Sequence, residues 1–432
     1  MRKALLAGLL PIVLSIAGCG GGGGISTSGG SSPHIGQTIS GSGPNVVTMT
    51  VDGGPVSSSP AVDTPYITVT VCVPGSTTQC QTFNNIEVDT GSYGFRILAD
   101  ATDASGNTFD LPLPAENDTN GAPFAECAQF VDGFTWGTVA TADVHVSGET
   151  ASSVPVQVIG DPTVSGESSF PAIPTACSGV GTSEDTVATF GANGILGIGP
   201  FAQDCGSGCA VTTDNGDYYV CPASGCQPST MALDAQVANP VFDFQTDNNG
   251  IIVELPALGS SGTAPSSTGA LVFGIGTRGN NQLNASTILS TNNYGDITTL
   301  FNGTSLPYSY FDTGSNAYYF DDSAIPDTCM SNAGWFCPVS TLTLDATNEG
   351  TNGTESTVSF SIANAQTQFN TYQNNSAFDD IGASAGNEST FCPNGASNCA
   401  FDFGLPFFFG RDIYIAYEGA NTSAGLGPFY AY

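Results

Sequence analysis

The stretch Val88-Asp89-Thr90-Gly91-Ser92 constrains this chain more than any other, because it returns as Phe311-Asp312-Thr313-Gly314-Ser315. The two aspartates lie 312 − 89 = 223 positions apart, one in each half. Each ends an apolar run and opens a Thr-Gly-Ser turn, so each is a carboxylate on a tight loop at the edge of a core. The approaches also repeat. Tyr66–Val73 and Gln81–Val88 read as strands joined by the turn Pro74-Gly75-Ser76. Ile297–Phe301 and Tyr308–Phe311 read as strands joined by Asn302-Gly303. Strand, turn, strand and carboxylate loop, used twice, point to a duplicated unit. Two such loops brought face to face make a paired-carboxylate site.

Each half carries a second apolar signal downstream. Gly194-Ile195-Leu196-Gly197 follows the first aspartate, and Phe407-Phe408-Phe409-Gly410 follows the second. The separations from the aspartates are similar, 197 − 89 = 108 and 410 − 312 = 98. Glycine in a buried strand lets another backbone pass close by. Short Val/Ile/Thr/Phe runs between turn residues dominate the chain, so the fold class is mostly β. The 432 residues suffice for two lobes with real cores. Asn239–Phe244 and Ile251–Leu255 close the first half, and a Gly/Ser/Pro linker over Gly259–Thr268 leads to Gly269–Gly274.

The N-terminus reads as a targeting segment. Arg2 and Lys3 form a basic start, Ala4–Ser15 an apolar core, and Ile16-Ala17-Gly18-Cys19 the end. A cysteine directly after Ala-Gly resembles a bacterial lipobox, which implies cleavage before Cys19 and lipid on its sulfur. The expected divisions are a signal at 1–18, a Gly/Ser-rich tether at 19–44, a first β lobe at 45–257 and a second at 258–432. An exported lipoprotein, held by lipid in the outer membrane, is the expected setting.

Without residues 1–18 the chain keeps Arg96, Arg278 and Arg411, no lysine and 38 acids, a formal charge of 3 − 38 = −35. Repulsion excludes nucleic acid and anionic lipid surfaces as partners. Apart from Cys19 there are twelve cysteines, which suits up to six disulfides in an oxidising compartment. Cys72/Cys80, Cys329/Cys337 and Cys392/Cys399 are close enough for local loops. Cys127, Cys177, Cys205, Cys209, Cys221 and Cys226 cannot be paired from sequence. The last four have spacings that also suit zinc, although the compartment favours disulfides. Phe130-Val131-Asp132-Gly133-Phe134-Thr135-Trp136 reads as a hairpin with exposed aromatic rings at its tip. His145 is read as a polar face residue of the strand that follows.

Together these residues resemble the pepsin-like, two-lobed aspartic proteases over roughly residues 60–432. The twin Asp-Thr-Gly-Ser loops match that family's active-site loops. Gly194–Gly197 and Phe408–Gly410 match the strands that cross behind them, and Asn239–Leu255 and Ile413–Tyr432 look like their counterparts. The lipobox with the duplicated motif looks most like a bacterial lipoprotein branch of the superfamily. The resemblance implies two pseudo-symmetric β lobes around a central cleft, with Asp89 and Asp312 as the catalytic pair. It implies that Thr90 and Thr313 tie the loops together, that Ser92 and Ser315 hold the outer carboxylate oxygens, and that Gly91 and Gly314 admit close backbone. It implies a flap of Phe130, Asp132, Phe134 and Trp136, a peptide or unfolded-protein substrate, and no cofactor or metal. Two departures stand out. Phe130 replaces the usual flap tyrosine, and Arg96 stands near the place of a usual tryptophan, where it either ion-pairs structurally or perturbs the dyad. A protease-fold protein that binds peptide, glycan or protein without cutting it is the alternative.

Overall fold

The structure is a computed structural model that describes residues 39–162, 172–328, 334–385 and 399–432. Cys19, Cys329 and Cys392 lie outside the described residues. It is mostly β and two-lobed, as expected. Among the described residues no helix is long and apolar enough to cross a membrane.

In the first half, Pro65–Cys72 pairs antiparallel with Cys80–Asp89. The hairpin is closed by a Cys72–Cys80 disulfide between directly opposed residues. Val69, Val71, Phe83, Ile86 and Val88 are all buried there, which pins the register. Gly194–Ile198 runs parallel to Cys80–Asp89 and sets Gly197 opposite Asp89. It also pairs antiparallel with Tyr93–Leu98. A Cβ on Gly197 would lie 2.7 Å from the Tyr93 amide nitrogen and 2.8 Å from Ser92 Oγ, so only glycine fits.

The second half repeats this plan. Ile297–Phe301 and Thr304–Phe311 form a hairpin. Its turn residues Asn302 and Gly303 have φ of 48° and 78°, the left-handed pair that an Asn-Gly hairpin requires. The strand that runs parallel behind Thr304–Phe311 is Asp402–Phe403, not Phe407–Phe409. Gly404 follows it, and a Cβ there would sit 2.0 Å from the Ala317 carbonyl oxygen. The expected match of Phe408–Gly410 is therefore corrected to Phe403-Gly404. Phe407 instead ends a short 3-10 turn and stacks on Phe311 with ring centroids 5.0 Å apart. Phe301, Phe320, Phe360, Phe401 and Phe403 complete an aromatic core under this lobe. Burial of each such ring contributes about 2–3 kcal/mol.

An antiparallel sheet joins the halves. Val46–Val51, Ser267–Phe273, Gly250–Leu255, Arg411–Ala416, Phe429–Ala431 and Ile288–Ser290 lie side by side in that order. Strands from both halves contribute, so the two carboxylate loops rest on one common base.

The remaining cysteines resolve as disulfides. Cys127–Cys177, Cys205–Cys209 and Cys221–Cys226 are bonded, and Cys337 and Cys399 are disulfide-bonded too. Cys205 and Cys209 lie close to Asp217 in a grouping of metal-ligating type. Their sulfurs are spent on each other, which leaves no thiolate pair for zinc.

Candidate active site

Both aspartates are buried where the two lobes meet. The Gly91 amide donates to Asp89 Oδ1 at 2.7 Å, and the Gly314 amide to Asp312 Oδ1 at 2.8 Å. Ser92 Oγ donates to Asp89 Oδ2, and Ser315 Oγ lies 2.8 Å from Asp312 Oδ2. These are Asx-type turns, in which a short acidic side chain caps its own loop. The Asp312 carboxyl also meets Asp89 side chain to side chain. A Cβ on Gly91 would lie 2.6 Å from Asp312 Cγ, so the contact needs glycine there.

The loops are clasped reciprocally. Thr90 Oγ1 donates to the Phe311 carbonyl at 3.0 Å and accepts from the Thr313 amide at 3.0 Å. Thr313 Oγ1 donates to the Val88 carbonyl at 2.6 Å and accepts from the Thr90 amide at 3.1 Å. Four buried bonds thus fix one carboxylate loop against the other across the pseudo-twofold.

Electrostatics within the pair favours a retained proton. Burial, then the nearby Asp89 and Asp402, push the Asp312 carboxyl well above the ordinary carboxylate range. Ser315 Oγ lies within bonding distance of both Asp312 Oδ2 and Asp402 Oδ2, the latter at 2.6 Å. One hydroxyl has one hydrogen, so it donates to one of these two carboxyls and accepts from the other. Asp402 was not singled out in the sequence. An acid inside the apolar run Ala400-Phe401-Asp402-Phe403 is the signal that could have found it.

The hairpin of Phe124–Gln129 and Gly133–Val146 forms as expected, with its turn at Phe130–Asp132. Its rings do not project. Phe130 is buried edge-on to Phe190. Phe134 and Trp136 are buried with Cys127, Cys177 and Tyr219. The reason lies in residues 205–228, where Tyr218–Val220 pairs with Phe124–Gln129. This added strand and the Cys127–Cys177 bond supply a second small core, which takes the rings. Only Val131 and Asp132 are half-exposed at the tip.

Arg96 is fully buried and pairs with Glu126 at 2.5 Å and Asp204 at 3.3 Å. Tyr218 Oη donates to Asp204 at 2.7 Å. Arg96 thus joins the loop strand to the hairpin, in a structural ion cluster rather than beside the dyad. Arg411 lies over the Phe407 ring, 4.3 Å from its centroid. His145 Nδ1 meets Thr150 Oγ1 at 2.8 Å, far along the hairpin.

Glu87, two residues before Asp89, is the other acid that sequence reading passed over. It is 1 % exposed, and neither carboxyl oxygen has a hydrogen-bond partner. Burial, then Asp89, Asp132 and Glu184, push it well above the usual range.

Comparison with known proteins agrees with the geometry. A solved aspartic proteinase from Irpex lacteus is similar at 18% identity, with 89% of this chain and 96% of that chain covered and a TM-score of 0.51. At that identity the likeness shows the fold, the bilobal β architecture of aspartic proteinases. A search of curated proteins finds no match. Residues 41–432 match the family described as "Protein of unknown function (DUF3443)", and the chain belongs to that family.

Proposed function

We propose that this chain is an aspartic-type endopeptidase in which Asp89 and Asp312 activate a water against a peptide bond. The observation that carries the reading is the hydrogen-bonded carboxyl pair inside reciprocally clasped, glycine-lined loops. Like charges in contact cannot both ionise at low cost, so the pair holds one proton over a wide acid range. Aspartic proteases are themselves the standard illustration of this coupling. The ionised carboxylate takes a proton from water, and the hydroxide formed attacks the peptide carbonyl carbon. The protonated carboxyl donates to the carbonyl oxygen. Collapse of the tetrahedral intermediate passes a proton to the leaving nitrogen and restores the shared one.

Two observations favour a second reading, a protein of this fold that binds without cutting. The hairpin lacks a tyrosine at its tip, and Cys127–Cys177 with the Tyr218–Val220 strand restrains it. The test is incubation of the purified chain with denatured protein from acid to neutral pH, beside Asp89→Asn and Asp312→Asn. Cleavage by the unaltered chain alone supports the protease. Equal cleavage by all three, or by none, refutes it.

The same proposal includes membrane attachment through lipid on Cys19, supported by the Ala-Gly-Cys sequence after an apolar core. Cys19→Ser should release the chain from the membrane fraction. Retention of the variant there would refute the anchor.

A further inference from the structure

Beside the dyad lies a group of acids in which Glu87 and Glu184 keep buried carboxyl oxygens without a hydrogen-bond partner. Glu87 sits on the strand that delivers Asp89, opposite Tyr66 of the neighbouring strand. It interacts electrostatically with Asp89 on its own strand, with Asp132 at the hairpin tip and with Glu184. Glu184 follows Thr182–Ser183, which pairs with Gly133–Phe134, and its amide donates to the Phe134 carbonyl at 2.9 Å. Its side chain lies over Gly133, where a Cβ would be 2.8 Å from Glu184 Cδ. Three carboxyl groups from three separate segments therefore converge at the hairpin turn.

Two features set this group apart from an ordinary acidic patch. Glu87 is almost fully enclosed and both its oxygens lack a partner, as does Glu184 Oε2. A buried carboxyl without a hydrogen bond is costly and is retained only where something else offsets it. Among the described residues no arginine is left over to serve. There is no lysine after Lys3. Arg96 is held by Glu126 and Asp204, Arg278 by Glu149 and Asp247, and Arg411 lies over Phe407. What completes the group must come from outside.

We propose that Glu87, with Asp132 and Glu184, forms a specificity pocket for a cationic side chain, lysine or arginine, of the peptide bound across Asp89 and Asp312. The inference rests on the protease reading for its cleft and adds the substrate class. A peptide ammonium or guanidinium supplies the donors that Glu87 lacks, and the hairpin tip closes over it through Asp132. Position beside Asp89 places the cationic residue next to the bond that is cut.

The test uses the purified chain and a peptide series in which lysine or its uncharged isostere norleucine is scanned through each position around the cleaved bond. Cleavage and binding of both forms are measured, binding by calorimetry with the uncut peptides and Asp312→Asn. A charge-assisted hydrogen bond in a buried site predicts a lysine preference of about 10- to 100-fold at one position. In Glu87→Gln that lysine-to-norleucine ratio falls to near one. Should Glu87→Gln not fold, Glu184→Gln carries the same readout. Equal handling of lysine and norleucine, or a ratio indifferent to both substitutions, overturns the pocket. If nothing is cleaved, the protease reading fails by itself. The pocket is then decided by binding: tighter lysine peptides, weakened in Glu87→Gln, sustain it, and equal affinities reject it.

Discussion

Replacing Thr90 by valine tests whether the clasp between the loops is as strong as its geometry requires. Valine keeps the shape of threonine, so no cavity forms. What is lost is the hydroxyl, with its bonds to the Phe311 carbonyl and the Thr313 amide. Thr90 is 1 % exposed and Thr313 is buried, so water cannot substitute. A buried donor or acceptor left without a partner costs about 1–3 kcal/mol. Two such groups, less the relief of no longer burying a hydroxyl, give a loss of about 2–4 kcal/mol. Thr90→Ser is the control. It keeps both bonds and removes one methyl, worth about 1 kcal/mol. Equilibrium denaturant unfolding, followed through the buried Trp136 and Trp335, reads both variants. The same loss of register should lower turnover of any peptide substrate, since the two carboxyls no longer meet in one geometry. A Thr90→Val chain as stable as Thr90→Ser would refute the argument, because the hydroxyl bonds would then contribute nothing.

Two further outcomes follow from the same site and its surroundings. Gly91→Ala should abolish peptide cleavage while leaving most of the fold, because its Cβ would fall 2.6 Å from Asp312 Cγ and part the carboxyls; undiminished activity would contradict the close approach. Stability should fall as pH rises from about 5 to 8. Burial, then Asp379, pushes Asp380 up to about 7, and burial, then Asp132 and Asp185, pushes Glu184 up to about 9. Both exceed the unfolded values near 4, so the folded chain binds protons that the unfolded chain has released. Their contribution is complete below about pH 4 and is lost through the folded values, up to a few kcal/mol each. A melting temperature that climbs between pH 5 and 8, or an Asp380→Asn chain with an unaltered slope, would contradict this.

The parts of the fold that local rules govern were legible. The twin Asp-Thr-Gly-Ser loops, the Asn302-Gly303 hairpin and the Gly194–Gly197 crossing strand each follow from turn chemistry and apolar runs within a few residues. The errors came where distant chain decided the outcome. Phe407–Gly410 carries the apolar-apolar-Gly pattern, but Phe403-Gly404 holds the place behind Asp312, disguised by the acid at 402. Ser315 Oγ meets that acid at 2.6 Å. The hairpin rings were expected to project because their cover, Tyr219 and Cys177, lies 40 or more residues further along. Arg96 is explained only by Glu126 and Asp204, neither of which its local sequence indicates. Glu87 was legible in principle, as a charge between the buried Ile86 and Val88. Its meaning depends on Asp132 and Glu184, which only the folded chain brings near.

The most direct test of the shared proton is a carboxyl-carbon NMR titration of the labelled aspartates, in the unaltered chain and in Asp89→Asn. Asp312 should stay protonated at a pH where ordinary carboxyls have ionised. Removing the charge at position 89 should lower its titration point without restoring the ordinary value, because burial is the larger cause. An Asp312 that titrates near 4 and takes no notice of residue 89 would mean two independent acids, and no dyad.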